Sequence, residues 1–355
     1  MKILIIALSG IGDALMFTPA LKFLKKNFPD AQIDALVMIK GAESIYSSNP
    51  YFNQIYYFDF LKEGKLKSLK FVGSLRKKYD ASINVYPSNR KEYNIINYLI
   101  GAEQRVGVRY LRRDKQNYGF LNNINVPEDD SLHNVQTNIK LCEALAGKKF
   151  DEEPPLEFYL TGEDENLSKQ FYADHPIKDD ELVIGFHPGC AIHKNHIKRR
   201  WEPEKFAELG KKLIKEKNAK ILLFGGPDEK ELKENIASQI NSPDAIIVDS
   251  GSLKESAAIM KRCNLFVTND SSQMHIAAAM QLKVVAIIGP TNQNYIYPWK
   301  TERSIVSLNL DCSPCFFYSP KPLICTRDDI KFKCIKELTV DMVYNSVISF
   351  LKQKP

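Results

Sequence analysis

Residues 265–291 read LFVTNDSSQMHIAAAMQLKVVAIIGPT. Leu265 to Thr268 and Val284 to Ile288 are β-branched and aromatic runs of strand length. Between them Asn269, Asp270, Ser271 and Ser272 are all helix-capping residue types, and His275 follows within the first turn. Ala277, Ala278 and Ala279 keep the intervening helix slim enough to lie close on a sheet. The pattern predicts strand, polar elbow, short helix and second strand, a piece of parallel α/β architecture. A helix start at the C-terminal end of a parallel strand is a seat for phosphate or diphosphate, because its N–H groups and dipole favour anions. An ordinary capped helix, with His275 as a first-turn polar residue, fits this stretch equally well.

The rest of the chain extends the same alternation. Lys2 to Leu8, a Gly loop (Ser9 to Gly12), a helix with Leu15, Leu21, Leu24 and Phe28 on one face, and Ile33 to Val37 form a βαβ opening. Further strands are predicted at Gln54 to Phe58, Ala81 to Val85 and Arg105 to Val108, with helices over 64–78, 91–100 and 133–146. From Phe150 to Glu181 prolines and acids mark a linker, with a short strand (Leu156 to Leu160) and a helix over 163–174. A second series follows, with strands at Leu182 to His187, Lys220 to Phe224 and Ile246 to Val248. Its helices are predicted over 203–217, 227–240 and 252–262. The fold class is therefore α/β, with two Rossmann-like doubly wound halves: 1–160, 161–338, and a terminal segment 339–355 whose helix is expected to pack back on the first half. Two such halves imply a ligand-binding cleft between them.

At 355 residues the chain is long enough for two cores. It is 44% hydrophobic and 26% charged, without an apolar run of bilayer-spanning length. The start, MKILIIALSGIG, has an apolar run only from Ile3 to Leu8 and a Gly loop where a signal-peptide cleavage site would be needed, so a cytoplasmic protein is expected. The net charge of +6 is unevenly spread. Lys62, Lys65, Lys67, Lys70, Arg76, Lys77 and Lys78 crowd one segment, and Arg105, Arg109, Arg112, Arg113 and Lys115 another. Solvated faces are the usual explanation. A surface for phosphorylated lipid or membrane headgroups is the functional one. Nucleic acid is disfavoured, since no recognition motif or stacking aromatic set accompanies the charge.

Three loops at strand ends look ready for an anion. HPGCAIHKNHIKRRW (187–201) leaves a strand through Gly189 and presents Lys194, Lys198, Arg199 and Arg200. FGGPDEKE (224–231) is a second Gly turn, carrying Glu229, and the 269–275 elbow is the third. In the first half Asp13 follows the Gly loop. It fits a first-turn helix acid, and also a general base at a helix start. The GIG loop lacks the third glycine of a dinucleotide fingerprint, and Asp-x-Asp, Gly-x-Ser-x-Gly and Walker patterns are missing, so a hydride-transfer cofactor, a diphosphate-bound metal, a serine hydrolase and a P-loop enzyme are not supported. Cys142, Cys190 and Cys263 read as free buried thiols. Cys312, Cys315, Cys325 and Cys334, spaced C-x₂-C-x₉-C-x₈-C, fit either a structural zinc or iron site or reduced thiols packing a loop, and the latter is preferred.

The start KILIIALSGIGDALMFTPALKFLKKNFPDAQIDALV resembles the N-terminus of glycosyltransferase family 9, the bacterial heptosyltransferases. HPGC…KRRW-x-P-E-x-F-A-x-L, LFGGPDE, VTNDSSQMHIAAAM and C-S-P-C resemble further blocks in family order. The resemblance implies a GT-B fold and inverting transfer with no required metal cofactor. The C-terminal half would hold a nucleotide sugar, ADP-heptose by implication, and the N-terminal half an anionic glycolipid acceptor. Asp13 matches the family base, and Lys198 and Arg199 its diphosphate-contacting region. Asp270, Ser271 and His275 match its D-x-G-x-x-H loop, in which Ser272 stands where the family has Gly. Gly189 and Glu229 join this donor set; Ser9, Gly10 and Gly12 fall to the acceptor side. A peripheral location on the cytoplasmic membrane face accompanies this reading. The alternatives are a sugar-nucleotide epimerase of the same architecture and a non-catalytic binder of nucleotide sugars or glycolipid.

Overall fold

The structure, a computed structural model, describes residues 1–175, 177–318 and 321–352. The side chain of Lys194 and the last three residues of the 339–355 segment lie outside what is described. The chain forms two compact units, Met1–Tyr159 and Leu160–Pro355.

The first unit carries β1 (Lys2–Ala7), β2 (Gln32–Val37), β3 (Gln54–Tyr57), β4 (Ala81–Asn84), β5 (Gln104–Arg109) and β6 (Ile124–Pro127) in the order 3-2-1-4-5-6. The second carries β7 (Val183–His187), β8 (Lys220–Leu223), β9 (Ala245–Ile247), β10 (Leu265–Asn269), β11 (Lys283–Ile287) and β12 (Arg303–Val306) in the order 12-11-10-7-8-9. All neighbouring strands in both sheets pair in parallel. Relative to its own first strand, each unit has the same doubly wound order. The central strands β1, β4, β7 and β10 are buried almost throughout, as helix-covered parallel strands must be. In each sheet the winding reverses between the first and fourth strands (β1/β4 and β7/β10), the position where doubly wound sheets open a binding crevice at their strand C-termini.

Local chemistry explains where the elements depart from the sequence expectation. The first helix is two: Ile11–Leu15 and Thr18–Asn27. Pro19 has no N–H for the carbonyl of Leu15, and the Thr18 hydroxyl donates to that carbonyl instead at 2.8 Å. The expected strand at Leu156–Leu160 does not form. Its alternation is real, since Leu156 and Phe158 are buried, but the Glu157 N–H donates to the Thr18 hydroxyl at 2.9 Å rather than to a ladder. The edge strands β6 and β12 and the helix Lys40–Ser47 were not anticipated. Pro127 and Arg303 disguise the first two, and Gly41 with two serines disguises the third.

The terminal helix Val340–Lys352, for which packing on the first half was expected, places Val343, Tyr344, Val347 and Phe350 in the core of the second unit. They lie there with Phe206, Leu209, Leu213, Val285 and Ile287. A strongly amphipathic helix goes where an apolar sheet face needs covering, and here β11 and β12 supply that face.

Candidate active site

β8, β7 and β10 are neighbours, and His187 and Thr268 share a register at the ends of β7 and β10. The three loops singled out from sequence therefore leave one edge of one sheet side by side. A fourth, after β11, joins them through Thr291.

The 269–275 elbow uses its polar residues for different tasks. Asn269, fully buried, donates to the carbonyl of Pro188 at 2.7 Å and accepts from the N–H of Trp201 at 3.0 Å, so it ties both ends of the 187–201 loop to β10. Asp270, also buried, pairs with the Arg199 guanidinium at 2.5 Å and accepts from the Thr291 hydroxyl at 2.6 Å. Ser271 stands at the N-cap in extended conformation, but its side chain makes no capping bond. Its hydroxyl meets His187 Nδ1 at 2.9 Å and the Thr268 hydroxyl at 3.2 Å. The helix that begins at Ser272 thus starts without a side-chain cap, which leaves its first N–H groups for an external acceptor.

Glu229 organises the neighbouring loop. Its carboxylate takes His187 Nε2 at 3.1 Å, the Gly226 N–H at 3.1 Å and Arg200 at 3.4 Å. Burial opposes its ionisation, but His187, the Gly226 N–H and Arg200 outweigh it and hold the carboxyl below its ordinary range. A Cβ on Gly189 would stand 1.6 Å from Glu229 Oε1, so a side chain there would have to push this carboxylate out of its place. Beneath, the buried Lys233 ammonium donates to the carbonyls of Gly225 and Val248 at 3.2 and 2.7 Å and clamps the Gly turn.

Of the expected donor set, Gly189, Arg199, Glu229, Asp270, Ser271, Ser272 and His275 belong to these adjoining loops. Lys198 is exposed, while its neighbour Arg199 turns inward over Phe316, 5.5 Å from the ring centroid. His187 and Thr291 were not assigned from sequence, where Arg200 was named only among the cations of its loop. The first ends a buried strand and the last follows one, positions that read as packing until tertiary structure pairs them. The Nε atoms of Arg199 and Arg200 are buried and have no protein partner among the described residues.

His275 is buried in the first turn of the elbow helix, and its Nδ1 has no partner among the described residues. Burial lowers its pKa from 6.5 to about 4, against the pull of Asp270, so the ring is neutral at pH 7. A folded-state value below the unfolded one means that this contribution to stability is fully present above pH 6.5 and is lost as pH falls toward 4, up to about 3 kcal/mol. Urea unfolding at pH 7 and pH 4.5 is expected to show a smaller acid loss in His275→Gln than in the parent. Equal losses would clear His275 as the acid-sensitive group.

In the first unit Asp13 sits in the first turn of Ile11–Leu15, half-buried, and accepts the Gly10 N–H at 2.8 Å. Ser9, which precedes that turn, donates to the carbonyl of Pro87 in the loop after β4. Three tyrosines feel the Asp13 charge. Burial first, and Asp13 second or further down, pushes the hydroxyls of Tyr46, Tyr93 and Tyr110 upward, with Arg90 opposing at Tyr93 and the Ser88 hydrogen bonds opposing at Tyr110. All three are neutral at pH 7; Tyr46 and Tyr93 donate to the carbonyls of Ala14 and Leu8 at 2.9 and 2.8 Å, and Tyr110 accepts from the Ser88 N–H.

The four clustered cysteines differ in environment. Cys334 is buried, Cys312 and Cys325 half-buried, and Cys315 exposed. Among the described residues, groups of three or more His, Cys, Asp or Glu arranged to hold a metal ion are not found.

The sequence model of glycosyltransferase family 9 (heptosyltransferase) matches residues 68–321. Lipooligosaccharide heptosyltransferase 2 of Campylobacter jejuni is 27% identical over 360 residues, covering 99% of both chains. A family 9 glycosyl transferase from Veillonella parvula superposes with a TM-score of 0.77 at 21% identity, covering 99% of this chain and 97% of that one. The ADP-heptose lipopolysaccharide heptosyltransferase II of Escherichia coli gives 0.75 at 22% identity, covering 99% of both. The shared architecture is the GT-B fold of paired doubly wound sheets. With a family match over more than half its length, the chain is a glycosyltransferase and belongs to glycosyltransferase family 9.

Proposed function

We infer that the enzyme transfers a heptose from ADP-heptose to a saccharide of the lipopolysaccharide core, with inversion at the anomeric carbon. The observation that carries this reading is the uncapped helix start at Ser272, beside the Arg199–Asp270 pair and the His187–Glu229–Arg200 network, at the switch point of the second sheet. A departing nucleoside diphosphate needs N–H donors and cations that are already in place, and these groups supply both. The buried Nε–H groups of Arg199 and Arg200 add unspent donors. Neutral His275 can give or take a hydrogen bond there without bringing charge.

Asp13 removes the proton from the acceptor hydroxyl as it attacks, and Ser9, Gly10 and Gly12 line the acceptor side. The diphosphate leaves toward the elbow helix. The side chain of Ser272, at the Gly position of the D-x-G-x-x-H pattern that the loop resembles, narrows the space for the sugar. Reduced thiols packing a loop remain the reading for Cys312, Cys315, Cys325 and Cys334, and no metal ion is required for transfer.

The test is incubation with ADP-heptose and a core acceptor, with product mass read out. Gain of one heptose by the acceptor is expected, with the donor unchanged when the acceptor is left out. An epimerised donor in the acceptor-free arm, or transfer from a different nucleotide sugar alone, overturns the assignment.

A further inference from the structure

The two basic segments of the first unit behave differently once folded. Over 105–115 much of the charge is spent internally: Arg112 pairs with Asp130 at 2.7 Å, and Arg105 donates to the carbonyls of Leu121 and Ala102. Over 59–78 it is not. Lys67 pairs with Glu63 at 2.8 Å and Lys62 lies 3.8 Å from Asp59. Lys65, Lys70, Arg76, Lys77 and Lys78 have no carboxylate partner among the described residues.

The same segment holds the most exposed leucine described. Leu66 is 85% exposed, Leu61 77% and Leu69 56%. Leu66 and Leu69 lie one turn apart on the helix Lys65–Ser74, and Leu61 is in the turn before it. The helix is held from its other side, where Val72 and Leu75 are buried and Phe71 stacks on Phe58 with centroids 4.3 Å apart. Three exposed leucines are thus presented on a fixed support in a segment that also carries five cations without a carboxylate partner among the described residues.

We propose that Leu61, Leu66 and Leu69, with Lys65, Lys70 and the Arg76–Lys78 run of the same segment, dock this enzyme on an anionic phospholipid bilayer. Charge complementarity selects the partner. Each unpaired cation gains from a negatively charged leaflet, and the leucines gain only where acyl chains lie within reach of the headgroup plane. Lysine stems can lie along that boundary while their ammonium groups stay among phosphates. An anionic polymer or a soluble acidic partner would reward the lysines but would leave the leucines in water. The inference rests on the lipid-linked acceptor proposed above, since docking brings the enzyme to the surface where such an acceptor is anchored.

The test is sedimentation with phosphatidylcholine vesicles, with and without phosphatidylglycerol, alongside transfer to a delipidated, water-soluble core acceptor. The parent enzyme is expected to sediment only with the anionic vesicles. Lys65→Glu/Lys70→Glu should weaken binding by about fivefold or more per site, more steeply at low salt. Leu66→Ser/Leu69→Ser should weaken it by about tenfold per leucine, and this loss should persist in high salt. Turnover on the soluble acceptor should be unchanged in both variants. The proposal is overturned if the parent ignores anionic vesicles, or if the leucine variant sediments like the parent. It is equally overturned if the leucine variant loses turnover on the soluble acceptor or loses self-association instead. Vesicle binding that follows this pattern without heptose transfer would support the docking surface while sinking the proposed reaction.

Discussion

Asp13→Asn is expected to lower transfer by about a thousandfold while leaving nucleotide-sugar affinity unchanged. A positioned carboxylate acting as general base is worth about 10²–10⁴ in rate. Asparagine keeps an oxygen for the Gly10 N–H, which Asp13 now holds at 2.8 Å, so the helix start survives the change. Asp13→Ala removes that contact as well and should cost about a further 1 kcal/mol of stability. The pair of variants separates the two roles that the position can have. An inactive Asn variant with unaltered melting and donor binding identifies the base. An active Asn variant beside an inactive, destabilised Ala variant would reduce Asp13 to a structural first-turn acid. Donor binding is the informative control, because every residue assigned to the diphosphate belongs to the other unit.

Arg199→Met is expected to be the most damaging single change to stability in the donor loops. Arg199 and Asp270 are both buried, 9% and 6% exposed, and meet at 2.5 Å. Removing the cation leaves a buried carboxylate whose remaining hydrogen-bond partner among the described residues is the Thr291 hydroxyl. Uncompensated charges of this kind cost about 3–5 kcal/mol. For a unit of this size that corresponds to a fall of about 10 °C in melting temperature. The double variant Arg199→Met/Asp270→Asn should recover part of the loss, because no charge is then stranded. Coupling of this sign in a double-mutant cycle would show that the pair acts as one element. A single variant that melts within a degree or two of the parent would mean that the loops are held by Asn269 and Glu229 instead.

The two predictions draw on information of different kinds. Asp13 stood out in the sequence as a carboxylate directly after a Gly loop, but that position fits a first-turn helix acid as well as a base, and the base role came from the family resemblance. The α/β alternation, both sheets and the 269–275 elbow were legible too. Buried parallel strands are unbroken runs such as ILIIA and LFVTN, and their helices carry apolar faces at helical spacing. Of the four edge strands β3 and β9 were legible, while β6 and β12 escaped because they are short, partly exposed and carry Pro127 or Arg303. The Leu156 stretch misled because alternation reports one buried face and does not report a hydrogen-bonding neighbour.

What the linear pattern determined was the class of site: capping residues, Gly turns and cations at the ends of strands. Tertiary structure decided the division of labour among them. Parallel pairing of β10 with β7, and of β7 with β8, sets three loops side by side. Only then does Ser271 reach His187, Glu229 reach across to His187 and Arg200, and Asp270 claim Arg199 and leave Lys198 in solvent. A residue's spacing along the chain records which face of its own element it occupies. Its partner eighty residues away is chosen by strand order and register, and that choice made four apparent capping residues into a tether, an ion pair, a relay to His187 and an open helix start.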